Sequence, residues 1–182
     1  MKKFLFCTLA SVMMVGCGGG GSGSVVEETE ENADPETGNE DSGAVTPSDQ
    51  ITVLDGTWKK QCGPVEGEPH YDIVTVSFSR GEFTTDIENY IDSGCTTPQP
   101  FAPNPTSSGN FALGDDVLLS DGLTATEFNI HTTQFDGAFF DIKEYDIVYI
   151  DNDTLYAGDG ETDSPLQRPT SLDYDRPFYR IN

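Results

Sequence analysis

The chain has 182 residues, with 32 acidic side chains against nine basic ones and a formal net charge of −23. Binding to a phosphate backbone needs a basic face, and this chain cannot assemble one, so nucleic acid is excluded as a partner. An anionic membrane surface would repel the chain too, which excludes attachment to lipid by charge. The plain consequences of the acidity are solubility and self-repulsion.

Lys2 and Lys3 open the chain, and residues 4–15 (FLFCTLASVMMV) form an apolar stretch. That stretch is too short to cross a hydrocarbon core of about 30 Å as a helix, and it has the length of a cleavable leader. Met14-Val15-Gly16-Cys17 follows, with a small residue directly before the cysteine. The string resembles the export signal of bacterial lipoproteins. The resemblance implies that residues 1–16 are removed and that Cys17 becomes the first residue. It further implies that Cys17 carries a diacylglycerol and usually a third acyl chain such as palmitate, so the membrane is a partner through this lipid. In proteins of this kind an Asp after the cysteine favours retention in the inner membrane. Gly18 stands there, which implies the outer membrane, on its periplasmic or cell-surface side. Loss of Lys2 and Lys3 takes the mature charge to −25.

Residues 17–50 contain the anchor cysteine, a glycine run, Glu27-Glu28-Thr29-Glu30-Glu31 and then Asn, Asp, Pro, Gly and Ser. This composition buries too little apolar surface to offset its ordering entropy. It reads as an acidic linker with an r.m.s. span of about 30 Å, extended further by like charge.

Of four cysteines, Cys7 falls in the leader and Cys17 is the lipid candidate. Cys62 and Cys95 remain as an even pair in an exported domain, so a disulfide between them is expected. Two separated cysteines with His70 and His131 do not match zinc spacing.

From residue 51 to 182 aromatic and β-branched residues become frequent, enough for one domain with its own core. Residues 71–79 (YDIVTVSFS) place Val74, Val76 and Phe78 on one face. Arg80-Gly81-Glu82 reads as a turn, and residues 83–91 (FTTDIENYI) return as the second arm of a hairpin. Residues 98–108 hold four prolines and read as a loop. Strands are expected over 110–119, 124–133, 138–150, 154–157 and 178–181, with Asp151-Asn152-Asp153 as a tight turn. No window carries a helical stripe. Seven or eight antiparallel strands give an all-β fold, an up-and-down barrel or half-open barrel, with a β-sandwich as the alternative.

The domain opens on Leu54-Asp55-Gly56-Thr57-Trp58-Lys59. Gly-x-Trp on the first strand resembles the lipocalins and their wider superfamily. The resemblance implies that Trp58 plugs one end of a barrel and that a basic residue of the last strand packs across it. Arg180 is the first candidate for that contact and Arg176 the second. It also implies a small apolar ligand or an envelope component in the barrel, lined by Phe78, Phe83, Phe128 and Phe140. The competing reading is that these aromatics fill the core, leaving a protein-interaction module without a ligand.

No nucleophile elbow or phosphate-binding glycine loop occurs, so no catalytic residue is assigned, no cofactor is expected and the domain reads as non-enzymatic. His70 sits in a loop, and His131 falls on the strand face opposite Phe128 and Ile130. Asp151, Asp153 and Asp159 offer oxygen ligands of the kind calcium takes. Their spacing fails the EF-hand pattern, and solvated turns explain them more simply.

Overall fold

A computed structural model describes residues 50–160 and 162–181. The leader, Cys17 and most of the linker lie outside the described residues. Eight strands follow one another: β1 (Gly56–Pro64), β2 (Tyr71–Ser79), β3 (Glu82–Tyr90), β4 (Thr106–Leu118), β5 (Thr124–Phe135), β6 (Ala138–Asp151), β7 (Thr154–Ala157) and β8 (Phe178–Ile181). Each pairs antiparallel with the next, and β8 returns to pair with β1 through Trp58↔Arg180 and Lys60↔Phe178. One sheet therefore closes in a ring with up-and-down order. The sandwich alternative is set aside, because β1 is paired on both of its edges and, among the described residues, all eight strands belong to one sheet. Among the described residues no helix is long and apolar enough to cross a membrane.

Turn chemistry fixes two of the hairpins. Arg80-Gly81 and Asp136-Gly137 have φ of 50° and 80°, and of 53° and 76°. Two successive left-handed residues make the tight turn whose twist matches flanking strands. β4 begins at Thr106, four residues before the expected start at 110, inside what reads as a proline-rich loop. The polar run Thr106-Ser107-Ser108 carries no alternation, yet it pairs with β3 through Thr84–Asp86. Gly109 permits the close approach there: a Cβ would lie 2.0 Å from the carbonyl oxygen of His131.

The ring is irregular because its strands differ in length. β6 has 14 residues and β7 only four. β7 covers β6 from Val148 to Asp151, so the first half of β6 projects beyond it with β5. Burial follows this division: Ala138–Lys143 are exposed except half-buried Phe140, whereas Tyr145–Val148 are buried.

Alternation builds the interior. Trp58, Val74, Val76, Phe78, Phe83, Phe111, Phe128, Ile130, Val148, Leu155 and Phe178 form one buried cluster with Leu54. A second, smaller cluster of Leu119, Ala125, Ile147 and Leu172 forms with Tyr149 and Tyr156 packed against it. Residues 158–177, between β7 and β8, supply its Leu172.

Candidate functional site

An arginine binds backbone carbonyls near each end of β1. At the first, Trp58 is fully buried and its Nε1 donates to the carbonyl oxygen of Leu54 at 2.7 Å. The Arg180 guanidinium lies 4.1 Å from the Trp58 ring and donates to the carbonyl oxygens of Asp55 and Val53. Gly56 has φ of 127°, and a Cβ there would stand 2.7 Å from Arg180 Nη1. Both its backbone and its space require glycine. Asp55 ties the segment down by accepting from the Thr52 N–H and hydroxyl and from the Arg80 N–H. Burial alone would raise the Asp55 carboxyl, but those donors outweigh it and hold it below the usual carboxylate range.

At the other end of β1 lies Arg176, which the sequence offered as second choice for the contact with Trp58; the contact is made by Arg180. The Arg176 guanidinium donates to the carbonyl oxygens of Pro64, Gln61 and Asp72, and its Nη2 lies 2.5 Å from Asp72 Oδ1. Gly63 lets it pass: a Cβ there would fall 2.1 Å from Arg176 Nε. The Cys62–Cys95 disulfide forms as expected, with Cα atoms 5.8 Å apart, and joins the end of β1 to the loop after β3. Closing a loop of this length contributes about 3–4 kcal/mol in the chain-entropy account. Asn89 holds the same loop, donating from Nδ2 to the carbonyl oxygen of Pro103 and from its backbone N–H to Asn104 Oδ1.

Between the two ends, Phe78, Phe111 and Phe128 stand with ring centroids 5.0, 5.8 and 5.9 Å apart, two pairs edge-to-face and one tilted. Phe83 is buried in the same cluster. Phe140 is corrected. It is half-buried against Phe135, at 5.7 Å, on the part of β6 that projects past β7. Alternation gives the face of a strand, but not whether the strand still borders the ring at that point.

Sequence reasoning missed Lys60. It shares the inward face of β1 with Trp58, is buried, and holds its ammonium 4.9 Å from the centroid of Phe178. Burial, assisted by Arg176, pushes its pKa down to about 8, against the opposing pull of Asp173, Asp72 and Asp146. An unfolded lysine titrates near 10.4, so between these values the unfolded chain binds more protons than the folded one. Stability should rise with pH from about 8 to about 9.5, below the range where tyrosines titrate. Urea unfolding across that window would show it, and Lys60→Met should flatten the rise. An equal slope in both proteins would refute the assignment.

His131 lies on β5 away from the interior, and β6 brings Asp141 Oδ1 to 2.7 Å from its Nε2. No sequence neighbour marks this pair, because it depends on cross-strand register. The Asp141 carboxylate is largely exposed, so the contact has the modest net strength of a solvent-exposed hydrogen bond. His70 lies half-buried in the turn between β1 and β2. Asp151 and Asp153 flank one turn at the start of β7, while Asp159 lies beyond the opposite end of that strand. The three do not converge, and among the described residues no group of His, Cys, Asp or Glu is arranged to hold a metal.

Arg168 was also missed. It donates to the carbonyl oxygens of Asp146 and Phe128, to Asn129 Oδ1, and pairs with Glu127. With Lys60, Arg176 and Arg180, it makes four of the seven basic residues of 51–182 that serve the fold's interior and ends. The outer surface is left more acidic than the net charge conveys. No protein-family model matches the chain, and no curated protein matches it in sequence.

Proposed function

We propose that this is an outer-membrane lipoprotein, attached through acylated Cys17, whose lipocalin-like β domain is non-enzymatic and acts as an interaction module in the cell envelope. The contact among Phe78, Phe111 and Phe128 carries the choice of interaction module over ligand carrier. Those side chains fill the space that a bound apolar molecule would occupy, and eight-stranded barrels are just wide enough to be filled this way. Arg180 lying over buried Trp58 at one end supports the same reading. The linker and the acidic outer surface would keep the domain away from the lipid head groups, available to another envelope component.

The ligand reading has one observation in its favour. Thr85 is 1% exposed, and its hydroxyl has no hydrogen-bond partner among the described residues. Native mass spectrometry of the lipidated protein, purified in mild detergent, separates the readings. The expected mass is that of the polypeptide with its anchor alone, and crosslinking in intact envelopes should trap a protein. A stoichiometric apolar molecule retained through detergent exchange would overturn the packed-core reading.

A further inference from the structure

The projecting half of β6 is an open sheet edge. β5 pairs on one side with Ala138 and Phe139 and, past an irregularity that leaves Phe140 and Asp141 out of register, with Ile142 through Val148. On the other side β7 begins its pairing only at Val148, and a single bridge joins Tyr145 to Thr162. Among the described residues no strand lies against the free side of residues 138–144. This stretch also exposes two large apolar side chains, Phe139 at 85% and Ile142 at 40%. Long exposed edges invite another strand, and proteins that keep such an edge usually guard it with charge.

The charges here do something more specific. The Tyr145 N–H donates to Thr162 away from β5, so alternation turns the N–H and C=O of Lys143 toward the same free side. Suppose a second copy of β6 ran antiparallel along this edge, centred on Ile142. Lys143 would then stand across from the partner's Asp141, twice by symmetry, and the two Ile142 side chains would meet on the axis. Moving the centre to Asp141 sets that carboxylate against the partner's Asp141. Moving it to Lys143 sets ammonium against the partner's Lys143. Opposite charges directly across a ladder stabilise it and like charges oppose it.

We infer that two copies of this chain associate through their β6 edges, antiparallel and centred on Ile142. The edge exists whatever anchors the chain, while its pairing in membranes rests on the lipid anchor proposed above. The self-repulsion of two acidic domains keeps the association weak in free solution, and confinement to one membrane raises the effective concentration that favours it.

Ile142→Cys in the full-length protein tests this in membranes. At the centre of the pairing, facing residues form a pair without mutual hydrogen bonds, with Cα atoms about 4.5 Å apart, within the range a disulfide bridges. Mild oxidation should therefore give a covalent dimer linked at residue 142. Leu118→Cys, on β4 and more exposed than residue 142, should give at least tenfold less. Lys143→Asp added to Ile142→Cys should reduce the dimer about tenfold, and the further change Asp141→Lys should restore it. Unchanged thermal unfolding would show that the variants still fold. Equal dimer from both cysteines, no dimer with a reactive residue-142 thiol, or no rescue by the charge exchange would overturn the inference. If those failures came with a different protein trapped in the envelope, the interaction-module reading would stand without self-association.

Discussion

Trp58→Ala should lower the unfolding free energy by about 3–5 kcal/mol, the range for removing a buried large aromatic. Urea unfolding would measure it, with an unchanged m-value marking a loss of stability rather than of cooperativity. Three losses coincide at this site. The fully buried ring leaves a cavity at the end of the ring-shaped sheet. The carbonyl oxygen of Leu54 loses its donor from the indole, and a buried acceptor left unmet costs about 1–3 kcal/mol. Arg180 loses the ring it lies over at 4.1 Å, a contact worth about 0.5–2 kcal/mol. Trp58→Phe separates these effects, because it keeps a ring for Arg180 and removes the N–H. Its cost should fall well below that of alanine. A loss under about 1 kcal/mol for Trp58→Ala would show that this end of the sheet does not hold the fold together.

The same end was the most legible part of the sequence. Gly56-Thr57-Trp58 and Arg180 lie at opposite ends of the domain, and an up-and-down order that closes brings the first and last strands together. Phe78, Phe83 and Phe128 were legible as inward residues because each sits in clean alternation on a strand bordered on both sides. β6 was not legible in this way. Asp146 and Val148 face the same way on this strand, while Tyr145 and Ile147 on the other face are also buried. The segment 158–177 folds over that outer face, bringing Leu172 and Arg168 to it. A strand covered on both faces loses the contrast that alternation needs.

Charged residues in the interior were hidden for a related reason. No local pattern marks Lys60 or Asp146 as buried, because burial of a charge is costly unless it finds partners. Some of those partners come from other segments. Asp146 Oδ1 accepts from the N–H of Gly158 at 3.1 Å, where a Cβ would collide with that oxygen. The pairing of Arg176 with Asp72 likewise joins residues 104 apart in sequence. Local pattern carries the strands and most of the interior, while the closures at the ends depend on long-range register.

Cys17→Ala should move the protein from the membrane fraction to the soluble one. A chain of net charge −23 is not drawn to an anionic surface, and the proposed removal of residues 1–16 would make the mature form more acidic still. With acylation lost, the proposed attachment has no electrostatic substitute. The lipid contribution is large: each buried CH₂ adds about 0.8 kcal/mol, one myristoyl-length chain binds only reversibly, and a second chain makes attachment stable. Losing two or three chains therefore changes partitioning by several orders of magnitude, a larger effect than any substitution within the β domain. Fractionation with carbonate-washed membranes would read it, alongside a mass shift equal to the missing acyl groups. The variant domain should unfold at the same temperature as the parent, because the strand pairs that close the ring join β1 to β8. Full retention of Cys17→Ala in washed membranes would reject the lipid anchor. Release with an unchanged Cys62–Cys95 bridge would separate the address of this protein from its fold.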